Sequence, residues 1–143
     1  MLRAKVLVGG LLMSVASVSM AHADCGSNDL HEDMENLKTE MKSLSFNIKR
    51  GDYEQAEERV DAVLEILSDA RDETPYLFEE KGLEGQELEH RQADYQSVID
   101  DTIAAFESLD EALEAEDDTQ VKALLKEVGD LRKKGHRAFK ADC

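Results

Sequence analysis

The chain has 143 residues, 41% of them apolar, which is enough for one domain around one core. Its 33 acidic residues against 17 basic ones give a formal charge of −16, a field that repels phosphate backbones and anionic lipid. One Pro, no Trp and two Cys argue against a many-turned barrel, a disulfide-dense scaffold or a four-cysteine zinc site, and the composition favours long helices.

Residues 1–23 read as a secretory signal. Arg3 and Lys5 supply the positive start, Val6 through Met13 the apolar core, and Ala21-His22-Ala23 the small-x-small cleavage site. The apolar run falls short of the roughly 20 residues that span a bilayer. Asp24, not a small residue, precedes Cys25, which argues against lipid modification there. Cleavage after Ala23 would remove two cations and no acid, leaving 120 residues (24–143) with a charge of −18. The expected destination is the periplasm, where disulfides persist.

From Asp29 onward the apolar residues keep the helical period. Leu30, Met34, Leu37, Met41, Leu44 and Ile48 form the first stripe, opened by Asp29 with Glu32 and stopped by Gly51. Asp52 with Gln55 opens the second helix, whose stripe is Ala56, Val60, Val63, Leu67 and Ala70, ending before Thr74-Pro75. A third helix is expected to start between Glu84 and Glu89 and to carry Tyr95, Ile99, Thr102, Phe106, Leu109 and Leu113. Asp117 with Gln120 opens the fourth, with Val121, Leu124, Val128, Leu131 and Ala138 inward. The segment 75–87 is the one place with room for an irregular loop.

Links of about three residues force antiparallel neighbours. The expected fold is therefore all-α, an antiparallel up-down-up-down four-helix bundle that stands as a monomer. In that topology the first helix leaves the end to which the fourth returns. Met34, about 8 Å along its helix, and His136, in the last turns of its own, then share one end of the bundle.

Few residues carry recognisable chemistry. There is no Gly-rich phosphate loop, no nucleophile with a base, and no Cys-x-x-Cys-His for covalent heme. Glu87 with His90 is a single Glu-x-x-His, and a di-iron site needs two. Thioether and neutral imidazole together are the axial pair of an electron-transferring heme. Arg132, one turn before His136, is placed to pair with a propionate.

Three segments resemble the periplasmic cytochrome b562 family. They are Asp29-Leu30-His31-Glu32-Asp33-Met34-Glu35-Asn36-Leu37, Asp69-Ala70-Arg71-Asp72-Glu73-Thr74-Pro75 running on to Glu79-Glu80-Lys81, and Arg132-Lys133-Lys134-Gly135-His136. The resemblance spans 29–140 and implies one non-covalent heme b per chain, with Met34 and His136 as axial ligands. It further implies a pocket that includes Leu37, Tyr95 and Arg132, with Val98 and Thr102 also candidates. Gly135 departs from the aromatic residue that the family usually places before its axial histidine.

The implied role is one-electron transfer without enzymatic activity. A heme-free bundle that binds an exported partner or acts as a holdase is the alternative, and a weak metal site on His31, Glu32 and Glu35 is a third reading. The charge of −18 leads to the expectation of a redox partner with a basic docking surface. Cys25 and Cys143 flank the outer helices, and export would pair them in one intramolecular disulfide.

Overall fold

The computed structural model describes residues 28–142. The segment 1–23 expected to be a signal, Cys25 and Cys143 lie outside these residues. Four long helices are present, α1 (Asp29–Arg50), α2 (Tyr53–Asp72), α4 (Gly85–Glu114) and α5 (Asp118–Phe139), with a short α3 (Tyr76–Glu80) between the second and third of them. No strand occurs among the described residues. The chain folds as an all-α four-helix bundle.

Local chemistry sets the helix ends. Asn28, not Asp29, caps α1, its side chain accepting from the His31 N–H at 3.1 Å, while Asp29 and Glu32 supply first-turn negative charge. Gly51 ends α1 at φ 72°, a left-handed conformation that glycine adopts without steric cost. Asp52 and Asp117 cap α2 and α5 by accepting from Gln55 and Gln120, as their spacing predicts. The α4 to α5 turn places Glu116 at φ 51°, an uncommon conformation for a residue that carries a Cβ.

The core follows the stripes unevenly. All five inward residues of α2 are buried, as are Tyr95, Ile99, Phe106, Leu109 and Leu113 of α4. Thr102 is half-buried and returns its hydroxyl to the Val98 carbonyl at 2.7 Å. The outer helices are more open. Leu44 is the one fully covered member of the α1 stripe, and Leu124, Leu131 and Ala138 of α5 are half-buried.

Two aromatic residues outside the predicted stripes complete the core. The 75–87 segment is partly helical, because Phe78 on α3 is almost wholly buried and packs edge-on against Phe139, with ring centroids 6.0 Å apart. A loop that buries a phenylalanine this well gains enough apolar contact to order one helical turn.

The helices pack in sequence: α1 against α2, α2 against α4, and α4 against α5. No comparably close packing joins α5 back to α1. The bundle thus has one open seam, between its first and last long helices.

Candidate functional site

The seam has an apolar wall on each side. On α1, Glu40 reaches across to Arg59 of α2, and Ser43 and Asn47 border a shallow surface depression with Gln55 and Arg59. Those contacts fix the side of α1 that faces α2. At about 100° per residue, Met34 and Met41 then fall on the opposite side, toward α5. Met34 is half-buried; Leu30, Leu37, Met41 and Ile48 pack against the core, and Met34 stands outside that set.

The same construction orients α5. Leu131 shares a depression with Asp101, Ala104, Ala105 and Ser108 of α4, and Gly135 approaches α4 so closely that a Cβ there would stand 3.4 Å from Val98 Cγ1. Leu131 and Gly135 therefore face α4. His136, about 100° further round, and Arg132, one turn earlier, fall on the side turned to α1. Both are solvent-exposed.

The two helices also agree in height. Met34 lies five residues from the start of α1 and His136 three residues from the end of α5, so each stands within about 8 Å of the same end of the bundle. The thioether and the imidazole thus border the seam from opposite sides at one level. A Cβ at 135 would meet Val98 at ordinary van der Waals distance, which places Gly135 against α4.

The electrostatics of the histidine suit ligation. Although its surface is accessible, the surrounding bundle desolvates the ring and lowers its pKa, and the nearby charges of Arg132 and Lys140 lower it further. The neutral form, which carries a free nitrogen lone pair, is favoured. No group of three or more His, Cys, Asp or Glu among the described residues is arranged to hold a metal ion. That arrangement gives no support to a cation site on His31, Glu32 and Glu35.

Tyr95 has a different placement from the ligand pair. It is buried in the same end of the bundle, but its hydroxyl donates to the Ala70 carbonyl on α2 and its ring meets Phe139 edge-on at 5.5 Å. Its pKa is far above the ordinary tyrosine value because burial, then Asp33 and Glu73, disfavour the phenolate. Tyr95 is a fixed neutral support. Sequence reasoning missed its neighbour Arg91, whose guanidinium stacks over Phe139 at 5.1 Å and Phe78 at 5.7 Å and donates to the Ala138 carbonyl at 2.9 Å. These contacts clamp the last turn of α5, the turn after His136.

Comparison with known proteins supplies the identity. The cytochrome b562 family profile matches residues 29–140, nearly all of the described structure. The chain belongs to the cytochrome b562 family. It is a b-type, heme-binding cytochrome, in a family of non-enzymatic electron carriers. No curated protein and no solved structure matches it. The α1–α5 seam offers such a group half-covered apolar residues on both helices, Leu37 and Met41 on α1 and Leu124 and Leu125 on α5.

Proposed function

We propose that this cytochrome carries single electrons in the periplasm, with one non-covalent heme per chain seated in the α1–α5 seam. The observation that carries the reading is the shared level of Met34 and His136 on the facing sides of the two helices that do not pack closely together. Bound there, heme supplies the reversible one-electron chemistry, and the chain sets its ligands and surroundings. In this reading the His136 imidazole and the Met34 thioether would hold the heme iron. Leu37 lines the apolar wall, Tyr95 supports the floor, and Arg132 at the mouth pairs with a propionate. The half-buried apolar residues of α1 and α5 would cover part of the group's surface.

Export and the disulfide belong to the same reading. The n-region, apolar run and Ala21-His22-Ala23 support cleavage of 1–23 and a periplasmic destination. Cys25 precedes α1 by four residues in the sequence and Cys143 follows α5 by four. A bridge would close a loop of more than 100 residues, for which chain entropy gives about 4–5 kcal/mol. Mass spectrometry of the non-reduced protein should find one intramolecular disulfide; two free thiols would contradict it.

Heme titration tests the reading as a whole. Purified protein should saturate at one heme per chain and develop an intense Soret band with sharp reduced α and β bands. Absence of saturable binding would favour a heme-free bundle that binds an exported partner.

A further inference from the structure

The charge of this protein is unevenly divided between two faces. α4 carries nine carboxylates and the single cation Arg91, and α2 carries seven carboxylates against two arginines. On the other pair, α5 carries six cations against three acids, and α1 four cations against five acids. All ten of these α1 and α5 cations are solvent-exposed. The net charge of −16 thus belongs largely to α2 and α4, while the seam side is close to neutral and α5 is positive.

The positive charge concentrates beside the mouth of the seam. Arg132, Lys133, Lys134 and Arg137 all lie in the last two turns or so of α5, and Lys140 follows directly. Among the described residues, the one ion pair within this group is Lys133 to Asp130, long at 3.9 Å and exposed. An exposed pair of that kind leaves the cation's field nearly intact. Cations near a helix C-terminus stabilise the helix dipole, but one or two are enough for that.

We infer that the α1–α5 face is a docking surface for the acidic patch of a protein partner, with α5 residues Lys133, Arg137 and Lys140 as its cationic contacts. The inference rests on the proposed heme site only for the purpose of the docking, which is electron exchange at the seam. It departs from the expectation from net charge, because the α5 side of the seam is positive even though the whole molecule is negative. The acids of α2 and α4 then turn the molecule, since they are repelled by the same acidic partner and direct the seam toward it.

A patterned partner fits better than a flat anionic membrane. The seam side is not uniformly positive: Asp29, Glu32, Asp33 and Glu35 of α1 stand at the same end, opposite the α5 cations. A plane of like charge meets both rows at once, whereas a protein surface can match each in register.

Two measurements test the inference. In the first, a glutamate-rich peptide is titrated into isotope-labelled protein at low salt, with or without heme. Amide shifts should concentrate on the second half of α5, and K133E/R137E should weaken binding about tenfold. Shifts on α2 and α4, or none, would overturn the docking face, and so would binding of anionic phosphatidylglycerol vesicles at α5 without peptide binding. In the second, heme-loaded ferrous protein gives one electron to ferricyanide, forming ferrocyanide. The rate should fall as salt is added and fall in K133E/R137E, while D101N/E107Q on α4 keeps the parent's salt dependence in sign. A rate that rises with salt would show that the net charge governs approach, and would overturn the inference. Failure to bind heme would sink the proposed function and leave the docking face to the peptide titration.

Discussion

At the residue scale, the last turn of α5 depends on a contact two helices wide. Phe139 sits three residues after His136 and is held between Phe78, Tyr95 and the Arg91 guanidinium. Arg91 also donates to Ala138, so it fixes both the side chain and the backbone of that turn. Arg91→Ala should cost about 2 kcal/mol of heme-free stability, from the charged hydrogen bond and the stacking together. Hydrogen exchange should show the loss concentrated in the last turn of α5, and unchanged protection there would contradict the clamp. Arg91→Lys should recover part of it at most, because a lysine cannot stack as a plane and reach the carbonyl as a fork.

None of that clamp was legible in the sequence. Arg91 looks like an ordinary charge on a polar face, and its partners lie on α3 and α5, 13 or more residues away. Phe78 was hidden for a related reason: a five-residue helix has no period to read. The ligand candidates were legible because a thioether and an imidazole are rare, and because short links decide which helix ends meet.

At the element scale, the α2 stripe was legible in full, since a helix packed on two neighbours buries every inward residue. The α1 stripe keeps the same period, yet four of its six members are half-covered residues packed at the core's edge, and Met34 is half-covered outside it. Periodicity reports which face turns inward; it does not report whether a neighbour arrives to cover it. The open seam therefore appears only in three dimensions. Filling it with heme should stabilise the elements that border it more than the far end, because a ligand stabilises the state that holds it. Hydrogen exchange with and without heme should gain protection in 29–37, 76–83 and 132–139, and a uniform gain along all long helices would contradict this placement.

At the scale of the whole molecule, the acidic face has a stability consequence. Asp110 on α4 has its pKa raised by burial and then by Asp61, Glu114 and Glu111, and Glu57 on α2 by desolvation and then by Asp110, Glu114, Glu54 and Asp61. A carboxyl with a raised folded-state pKa binds its proton more tightly when folded. Mild acidification from neutral pH toward the carboxylate range should therefore raise the melting temperature of the heme-free protein. Asp100 works in the opposite sense. Its bidentate pair with Arg71, at 2.6 and 3.0 Å, lowers its pKa, and that stabilisation is lost only as pH falls through the lowered value. Asp110→Asn should raise the melting temperature at pH 7 and flatten its rise on acidification, whereas Asp100→Asn should lower it. A lower melting temperature for Asp110→Asn at pH 7 would contradict the account of this cluster.

Whether Met34 and His136 meet heme iron across the α1–α5 seam is decided by the absorption spectra of two heme-loaded variants. Met34→Ala should stay folded, retain heme on His136, turn its iron high-spin and lower its reduction potential, because the thioether that favours the ferrous state is gone. His136→Ala should lose heme more severely than Met34→Ala. If both variants kept the parent's low-spin spectrum and heme affinity, the seam would not be the site and the ligand pair would be wrong.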